Sequence, residues 1–252
     1  MLAPLARALT SRVPAVVARR GASKATRAFS RTSAEAMNRA NKIDPVNPRL
    51  HVWVCDIQEK FSSAVTGFDH VAHNTSTMLR AIGAMGGGCG TTRVIMTEQV
   101  PEKLGPTAAS VRDAARADAG VRSHCVSKTA FSMYDVGKKF IERDSPVEAP
   151  ARHVVVGLEA HVCVVQTVLD LLANEPNCVV YVCVDAVSSI RLEDRAVALR
   201  RMEQAGAILT CTESVVFEMM GDANHPQFRA VSKILRDGAT NKPTDCAPLP
   251  SI

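Results

Sequence analysis

The chain has 252 residues, of which 46% are hydrophobic and 22% are charged. This balance is typical of a globular protein rather than a disordered one. No run of about 18 apolar residues occurs, which excludes a transmembrane helix. Aromatic residues make up only 4% of the chain, so extended surfaces for stacking nucleic-acid bases are not expected.

The net charge of +5 is distributed unevenly along the chain. Residues 1–42 contain nine lysines and arginines and one acid, which gives +8, and residues 43–252 therefore carry −3. A mildly acidic body argues against a phosphate-binding surface, so no nucleic-acid partner is predicted.

The first 29 residues have the composition of a targeting leader. They contain no acid, they have several arginines separated by small residues, and they end in Arg27-Ala28-Phe29. We therefore predict a mitochondrial transit peptide at 1–29 and a location in the matrix, with a basic arm for nucleic acid as the alternative. Residues 30–48 are predicted to be a polar linker, and residues 237–252 a loose, proline-rich tail.

Short runs rich in Val, Ile and Cys alternate with segments of helical periodicity between residues 49 and 236. Strands are predicted at 51–56, 93–98, 121–127, 153–157, 178–185 and 207–212, and helices at 69–85, 110–119, 136–143, 160–173, 192–204, 214–220 and 226–235. Near-continuous apolar strands are buried on both faces, which is typical of a parallel sheet covered by helices. The expected fold is a single Rossmann-like α/β domain at 49–236, with three layers and about six mostly parallel strands.

Reactive side chains follow three of the predicted strands. Asp56 ends the first strand, Lys103 lies in the loop after the second, and Cys163 begins the helix after the fourth. Ligands of such sheets bind at the carboxyl ends of the strands, so these residues are predicted to meet at one edge. Each also has a simpler explanation, as a helix cap, a surface lysine and a small buried residue respectively.

Three motifs in this part of the chain occur in the order and with the intervals of a known family. They are Cys55-Asp56-Ile57-Gln58-Glu59-Lys60-Phe61, Thr97-Glu98-Gln99-Val100-Pro101-Glu102-Lys103 and Gly157-Leu158-Glu159-Ala160-His161-Val162-Cys163. On these residues the chain resembles the isochorismatase-like hydrolases (cysteine hydrolases), and in particular their isochorismatase domain-containing branch, over residues 50–236. The resemblance implies a catalytic triad of Asp56, Lys103 and Cys163.

The resemblance also implies a reaction. A thiol becomes a strong nucleophile once it is deprotonated, and the first turn of a helix favours the thiolate of Cys163. Asp56 can accept that proton and return it to a leaving amine, while Lys103 holds the carboxylate. The expected reaction is hydrolysis of a C–N bond in a small amide-like molecule through a thioacyl intermediate. The family has a cis peptide bond in the nucleophile loop, which here falls at Leu158–Glu159.

Further residues are candidates for the substrate pocket or for support of the oxyanion: Gln58, Phe131, Leu158, Glu159, His161 and Val162. Related nicotinamidases hold a metal with an Asp/His cluster after the second strand. Residues 97–101 contain no histidine here, so neither a metal nor another cofactor is predicted. The resemblance implies a small-molecule substrate and a homo-oligomer. The alternative function is a low-turnover mitochondrial interaction or regulatory protein that retains the fold.

The predicted leader can be tested with fusion proteins. A fusion of residues 1–29 to a fluorescent protein is expected to accumulate in mitochondria, because its arginines and its lack of acids suit import. Replacing Arg7, Arg12 and Arg19 with glutamine is expected to leave the fusion in the cytosol, as seen by microscopy against a matrix marker. A fusion of residues 30–58 is the control, and equal import of the two fusions would contradict the prediction.

Overall fold

The computed structural model describes residues 43, 50–85, 92–117, 121–141, 151–175 and 177–243. The predicted transit peptide at 1–29 lies outside the described residues, as do the linker at 30–48, apart from Ile43, and the end of the tail. No helix in the described part of the chain is long and apolar enough to span a membrane.

One sheet of six parallel strands organises the chain. The strands are β1 (Leu50–Cys55), β2 (Arg93–Gln99), β3 (Arg122–Lys128), β4 (Arg152–Gly157), β5 (Val179–Val187) and β6 (Ile208–Thr210), in the order β3-β2-β1-β4-β5-β6. β-Branched residues favour the central strands, and their burial on both faces selects a parallel arrangement. The predicted fold class is confirmed.

Helices connect and cover these strands. In the described residues they are α1 (Phe68–Ala84), α2 (Pro101–Leu104), α3 (Ala109–Arg116), α4 (Tyr134–Gly137), α5 (Val165–Asn174), α6 (Leu192–Gln204), α7 (Thr212–Met220) and α8 (Phe228–Thr240). Short 3₁₀ segments lie at Glu59–Phe61 and Lys138–Phe140, and a π-helical turn at Ala160–Val164 precedes α5.

Most predicted segments agree with the structure to within a few residues, and larger differences occur after β3 and at the last helix. The single helix expected over 136–143 is instead the short α4 followed by a 3₁₀ turn, because Gly137 ends α4 where its backbone lies against the Trp53 ring. The predicted tail begins at 237, whereas α8 continues to Thr240.

The sheet separates two hydrophobic cores. Successive side chains of a strand point to opposite faces, so Val52 and Val54 of β1 enter the first core, and Trp53 and Cys55 enter the second. Helices α1, α3, α7 and α8 cover the first core, and α5 and α6 cover the second. Burial of apolar area on both faces is the main favourable contribution to folding, and it fixes the strand ends in place.

The strand order reverses between β1 and β4. The chain adds β2 and β3 on one side of β1, whereas β4, β5 and β6 build the other side. In doubly wound sheets, ligands bind in the crevice at the carboxyl ends of the strands where this reversal occurs. Asp56 follows β1 and Cys163 follows β4, so the fold places both residues at the reversal.

Gly157 ends β4 where its backbone passes very close to β1. Its φ angle is +123°, and a Cβ atom at this position would lie 2.0 Å from the carbonyl oxygen of Cys55. Gly206 also has a positive φ, +107°, but a Cβ atom there would meet nothing within 4 Å. Glycine is therefore required at 157 for space as well as for conformation.

Gly157→Ala and Gly206→Ala form a matched pair that separates these two requirements. We expect Gly206→Ala to lower the free energy of unfolding by about 1–3 kcal/mol through backbone strain. Gly157→Ala is expected to lower the free energy of unfolding by more than this, or to prevent folding. Urea denaturation of the full chain, followed by circular dichroism, measures both values. Equal losses would show that the approach to Cys55 is not tight.

Candidate active site

Asp56 lies directly after β1 in an uncommon backbone conformation. Its φ angle of +48° is in the left-handed region, and the residue is only 1% exposed. The N–H of Gln58 donates to the Asp56 carbonyl oxygen at 2.8 Å and closes a tight turn. Strain of this kind in a non-glycine residue persists where the surrounding structure fixes it, and it is concentrated at functional sites.

Two side chains from neighbouring strands hold the Asp56 carboxylate. Thr97 of β2 donates its hydroxyl to Oδ1 at 2.8 Å, and Lys128, the last residue of β3, donates from Nζ to Oδ2 at 2.7 Å. Both residues are buried. The hydroxyl group of Thr97 and the positive charge of Lys128 therefore replace the water that would solvate an exposed carboxylate. A buried acid requires such partners.

The Lys128 ammonium is saturated with acceptors. It donates to Asp56, to the Gln99 side chain at 2.6 Å, and to the carbonyl oxygens of Ala130 at 3.1 Å and Phe131 at 2.9 Å. Because an ammonium has three protons, four acceptors engage all of them. Lys128 thus ties the loop after β3 to the carboxylate that follows β1.

Lys128 is expected to stay charged. Burial alone would lower its pKa, but the acidic surroundings, with the charge and the hydrogen bond of Asp56, outweigh that effect and raise the pKa above its ordinary value. A neutral amine would also lose one of the donors that its surroundings use.

The lysine beside Asp56 is Lys128, which corrects the prediction of Lys103. Lys103 is an exposed residue of the short helix α2, whereas the Lys128 side chain is fully buried against the carboxylate. The segment after β2 suggests Lys103, but the group that reaches Asp56 comes from the end of β3. The sequence does contain a signal for Lys128, because this residue directly follows the predicted strand at 121–127. The loop of Cys163 likewise follows a predicted strand.

Cys163 lies in the π-helical turn between β4 and α5 and is 7% exposed. Its Sγ atom is within 4.8 Å of a carboxylate oxygen of Asp56. Thr167 donates its hydroxyl to the Cys163 carbonyl oxygen at 2.8 Å and accepts the N–H of Met133 at 3.0 Å, which ties the turn to the loop after β3. The peptide bond at Leu158–Glu159 is cis, as predicted.

A second thiol, Cys55, lies in the same group and was not predicted as a site residue. Its Sγ is 3.6 Å from Oδ2 of Asp56 and within 4.8 Å of the Cys163 Sγ. Burial, a hydrogen bond with Cys163 and the charge of Asp56 raise the pKa of Cys55 well above its ordinary value, so it stays a neutral thiol. Strand alternation predicts opposite faces for residues 55 and 56, but the left-handed backbone at Asp56 ends that alternation.

The structure gives different environments to two pocket candidates, Gln58 and Phe131. Gln58 is fully buried, and its amide group is engaged by backbone groups of Gln99 and Gly105. It therefore holds the loop after β2 and does not line a pocket. Phe131 is 54% exposed, and its carbonyl oxygen accepts from Lys128, so its ring stays a candidate for the wall of the site.

Two apolar candidates flank the nucleophile loop. Leu158 is completely buried in the first core. Val162 is half-buried against the second core. Their side chains anchor the loop on both faces of the sheet. A role for backbone N–H groups of this loop in binding an oxyanion stays a prediction.

The polar side chains of the same loop contact the segment after β5. Glu159 accepts the N–H of Ile190 at 2.9 Å. His161 Nδ1 is 3.0 Å from the Ser189 hydroxyl oxygen, and its Nε2 is 3.8 Å from a carboxylate oxygen of Asp194. These contacts support the loop, and they direct the imidazole toward α6 rather than toward the Asp56 carboxylate.

The cluster of Cys55, Asp56 and Cys163 also has the composition of a metal site. One ligand atom from each lies within 4.8 Å of the other two, and two sulfurs with one oxygen suit a cation such as Zn²⁺. Both carboxylate oxygens, however, already accept from Thr97 and Lys128, and the ammonium repels a cation. The donor set fits an acid–base site better, and the absence of a metal stays a prediction.

A thiol, a carboxylate and a buried ammonium thus meet where the strand order of a doubly wound sheet reverses. These features define a class of α/β protein with a cysteine–carboxylate–lysine site.

Comparison with known proteins identifies the family within that class. The Isochorismatase domain matches residues 51–214, and the chain belongs to the isochorismatase family. The mouse isochorismatase domain-containing protein 2A is 35% identical over 186 residues, which cover 74% of this chain and 82% of the mouse protein. The human isochorismatase domain-containing protein 2 is 34% identical over 189 residues, which cover 75% of this chain and 83% of the human protein.

A solved structure agrees with this assignment. The structure of the MAR1 ribonuclease from Caenorhabditis elegans is similar, with a TM-score of 0.64 and 33% sequence identity. The match covers 84% of this chain and 100% of that one. The resemblance to the family and its branch is confirmed, and the chain has the fold of this hydrolase family. The mitochondrial location and the homo-oligomer stay predictions.

Lys128, and not Lys103, is expected to control the reactivity of Cys163. In Lys128→Met, the Asp56 carboxylate loses its opposite charge, so a thiolate beside it becomes less favourable. We expect the rate of Cys163 alkylation by iodoacetamide near neutral pH to fall about tenfold, because a smaller fraction of the sulfur is then present as thiolate. Peptide mass spectrometry of the full chain measures this rate.

Lys103→Met is the matched control and is expected to keep the wild-type rate. Removing one partner of a buried ion pair costs about 3–5 kcal/mol, so circular dichroism must show that the variants are folded. The double variant Asp56→Asn/Lys128→Met leaves no unpaired charge and serves as a second folded reference. A slower rate in Lys103→Met with no change in Lys128→Met would reverse the assignment of the lysine.

Proposed function

We propose that the chain is a metal-independent cysteine hydrolase that cleaves a C–N bond in a small amide-like molecule. One observation carries the proposal: the Asp56 carboxylate is paired with the Lys128 ammonium at 2.7 Å and lies within 4.8 Å of the Cys163 thiol. The thiol proton therefore has an acceptor nearby, and the negative charge of the site has a fixed counter-charge.

In the first half-reaction Asp56 acts as the base. It takes the proton of Cys163, the sulfur attacks the carbonyl carbon of the substrate, and the carbonyl electron pair moves to oxygen. When the carbonyl re-forms, the C–N bond breaks and the amine leaves with the proton that Asp56 returns. The product is a thioester on Cys163 and a free amine.

In the second half-reaction a water molecule replaces the amine. Asp56 accepts a proton from the water, the resulting hydroxide attacks the thioester, and Cys163 leaves and recovers its proton. Lys128 keeps Asp56 in place through both steps. Its role is positioning and electrostatic, because all of its protons are engaged by acceptors.

The enclosure of the site supports a small substrate. Asp56 is 1%, Lys128 4% and Cys163 7% exposed, so Cys163 is the most exposed of the three residues, although all three are buried. A compact acyl group can reach Cys163, whereas a folded polypeptide cannot bring its backbone so close. The exposed ring of Phe131, on the loop that Lys128 holds, offers an apolar wall for such a group.

A ribonuclease is the second candidate, because the Caenorhabditis elegans relative is described as one. Cleavage of RNA requires cations free to bind phosphate. The ammonium in this site is committed to four acceptors, and residues 43–252 carry a net charge of −3. These observations favour the amide hydrolase. A low-turnover interaction protein would not need the contacts that hold the Asp56 carboxylate, so these contacts favour an enzyme over that alternative.

Acyl transfer to Cys163 tests the proposed function. The full chain is incubated with a panel of small primary amides and p-nitrophenyl esters. We expect an acyl group on Cys163 in peptide mass spectra, its removal by hydroxylamine, and release of ammonia from the amides that are turned over. Asp56→Asn is expected to lower turnover by about 100-fold or more, the effect of losing a general base.

Asp237→Asn is the matched control, since it makes the same chemical change on the exposed end of α8, and it is expected to keep full turnover. Cys163→Ala is expected to form no adduct. Cleavage of single-stranded RNA that survives in Cys163→Ala, with no adduct in the wild type, would replace the proposal with a ribonuclease. The absence of both activities would favour the interaction protein.

A further inference from the structure

The proposed acyl transfer uses one thiol, but the site contains two. The Sγ atoms of Cys55 and Cys163 lie within 4.8 Å of each other, and both residues belong to the core on the same face of the sheet. A disulfide bond has a length of about 2.05 Å. A bond between these two sulfurs therefore requires a rotation of the cysteine side chains that closes this gap.

Backbone contacts hold the two cysteines in this relation. Cys55 is in register with Gly157 of β4, and the N–H of Leu158 donates to the Cys55 carbonyl oxygen at 2.8 Å. The loop that carries Cys163 therefore begins beside Cys55. A few residues later it brings the Cys163 sulfur to within 4.8 Å of the Cys55 sulfur. The pair is a product of the strand pairing and not of a flexible surface segment.

We propose that Cys55 and Cys163 form a reversible disulfide in the presence of a hydroperoxide and that this bond switches the site off. The inference rests on the proposed function in one respect, because it takes Cys163 as the reactive thiol. It adds an oxidant-sensing role that acyl transfer does not require.

The oxidation proceeds in two balanced steps. The Cys163 thiolate attacks one oxygen of the hydroperoxide, the O–O bond breaks, and the products are a sulfenic acid and hydroxide or alkoxide, which takes up a proton. The Cys55 thiol then gives its proton to Asp56 and attacks the sulfenic sulfur. The S–S bond forms as the S–O bond breaks, and hydroxide leaves as water. Two thiols have lost two electrons, and the peroxide has gained them.

The environment of Cys55 suits the second step better than the first. Cys55 is fully buried, and its raised pKa keeps it a neutral thiol that does not react with peroxide directly. Its Sγ lies 3.6 Å from the Asp56 carboxylate, which can take its proton when the sulfenic acid is present. A fast internal attack prevents further oxidation of Cys163 to the sulfinic acid, which thiols do not reduce.

The disulfide can be detected without any assay of activity. The full chain is treated with stoichiometric hydrogen peroxide, and its remaining thiols are blocked with iodoacetamide. It is then digested, without reduction, with trypsin and a protease that cleaves after aspartate and glutamate. These proteases place Cys55 in the peptide 50–56 and Cys163 in the peptide 160–170, apart from the other cysteines. We expect a cross-link between these two peptides that dithiothreitol removes.

Matched variants identify the partner thiol. Cys55→Ala is expected to form no cross-link and to accumulate sulfinic acid on Cys163, with acyl transfer not recovered by dithiothreitol. Cys55→Ser is the closer isostere and is used if Cys55→Ala does not fold. Cys183→Ala removes another buried cysteine, on β5, and is expected to retain both the cross-link and full recovery.

The outcomes distinguish this inference from the proposed function. If iodoacetamide labels Cys163 in the untreated protein but peroxide gives only sulfinic acid or a cross-link to another cysteine, the disulfide is wrong and the hydrolase proposal stands. If Cys163 is neither alkylated nor oxidised, the hydrolase proposal fails, and the disulfide fails with it. A 55–163 cross-link that is absent from Cys55→Ala supports the inference.

Discussion

The buried ion pair of Asp56 and Lys128 is the contact on which the site depends. Removing both charges from water is costly, and such a pair is rarely worth its desolvation as a contribution to stability. Here the pair is completed by the Thr97 hydroxyl and by three further acceptors for the ammonium. The ion pair holds a negative charge at a fixed position beside a thiol. Without the ammonium, that charge would be unpaired in surroundings that exclude water.

The fold supplies the rigidity that this charge requires. Three strand ends around the site have positive φ angles: Asp56 after β1, Val100 after β2 and Gly157 at the end of β4. Positive φ is especially unfavourable for a β-branched residue such as Val100. These conformations are maintained because hydrophobic cores on both faces hold the strands in register. Cores distant from the chemistry thus stabilise the turns from which the reacting groups project.

The sequence predicts the fold and two of the three central side chains for a common physical reason. Apolar runs such as those of β1 and β4 mark buried parallel strands, and their carboxyl ends locate Asp56 and the loop of Cys163. The same rule marks Lys128 at the end of a predicted strand, but it does not show that Lys128 reaches Asp56, because β2 lies between β3 and β1. Strand order is a tertiary property. Neighbouring strands are about 4.8 Å apart, so a long side chain such as that of Lys128 is needed to meet the Asp56 carboxylate across β2.

Gln58 and Cys55 show a second limit of sequence reasoning. Both are buried beside Asp56, and residue type alone does not show whether a buried polar group faces a substrate or a backbone. For Gln58 the amide contacts decide the question, since they join the loops after β1 and β2. For Cys55 the deciding feature is the left-handed turn at Asp56, which no periodicity in the sequence indicates.

The two proposed reactions share one base. Oδ1 of Asp56 accepts from Thr97, whereas Oδ2 accepts from Lys128 at 2.7 Å and from the Cys55 thiol at 3.6 Å. The contact with the Cys55 thiol is the longest and weakest of the three. Asp56 can therefore give up this hydrogen bond when it binds a proton. With Cys163 as a free thiol, that proton comes from Cys163 and acyl transfer follows. With Cys163 as a sulfenic acid, it comes from Cys55 and the disulfide follows. The oxidation state of one sulfur atom therefore decides which thiol the same carboxylate deprotonates.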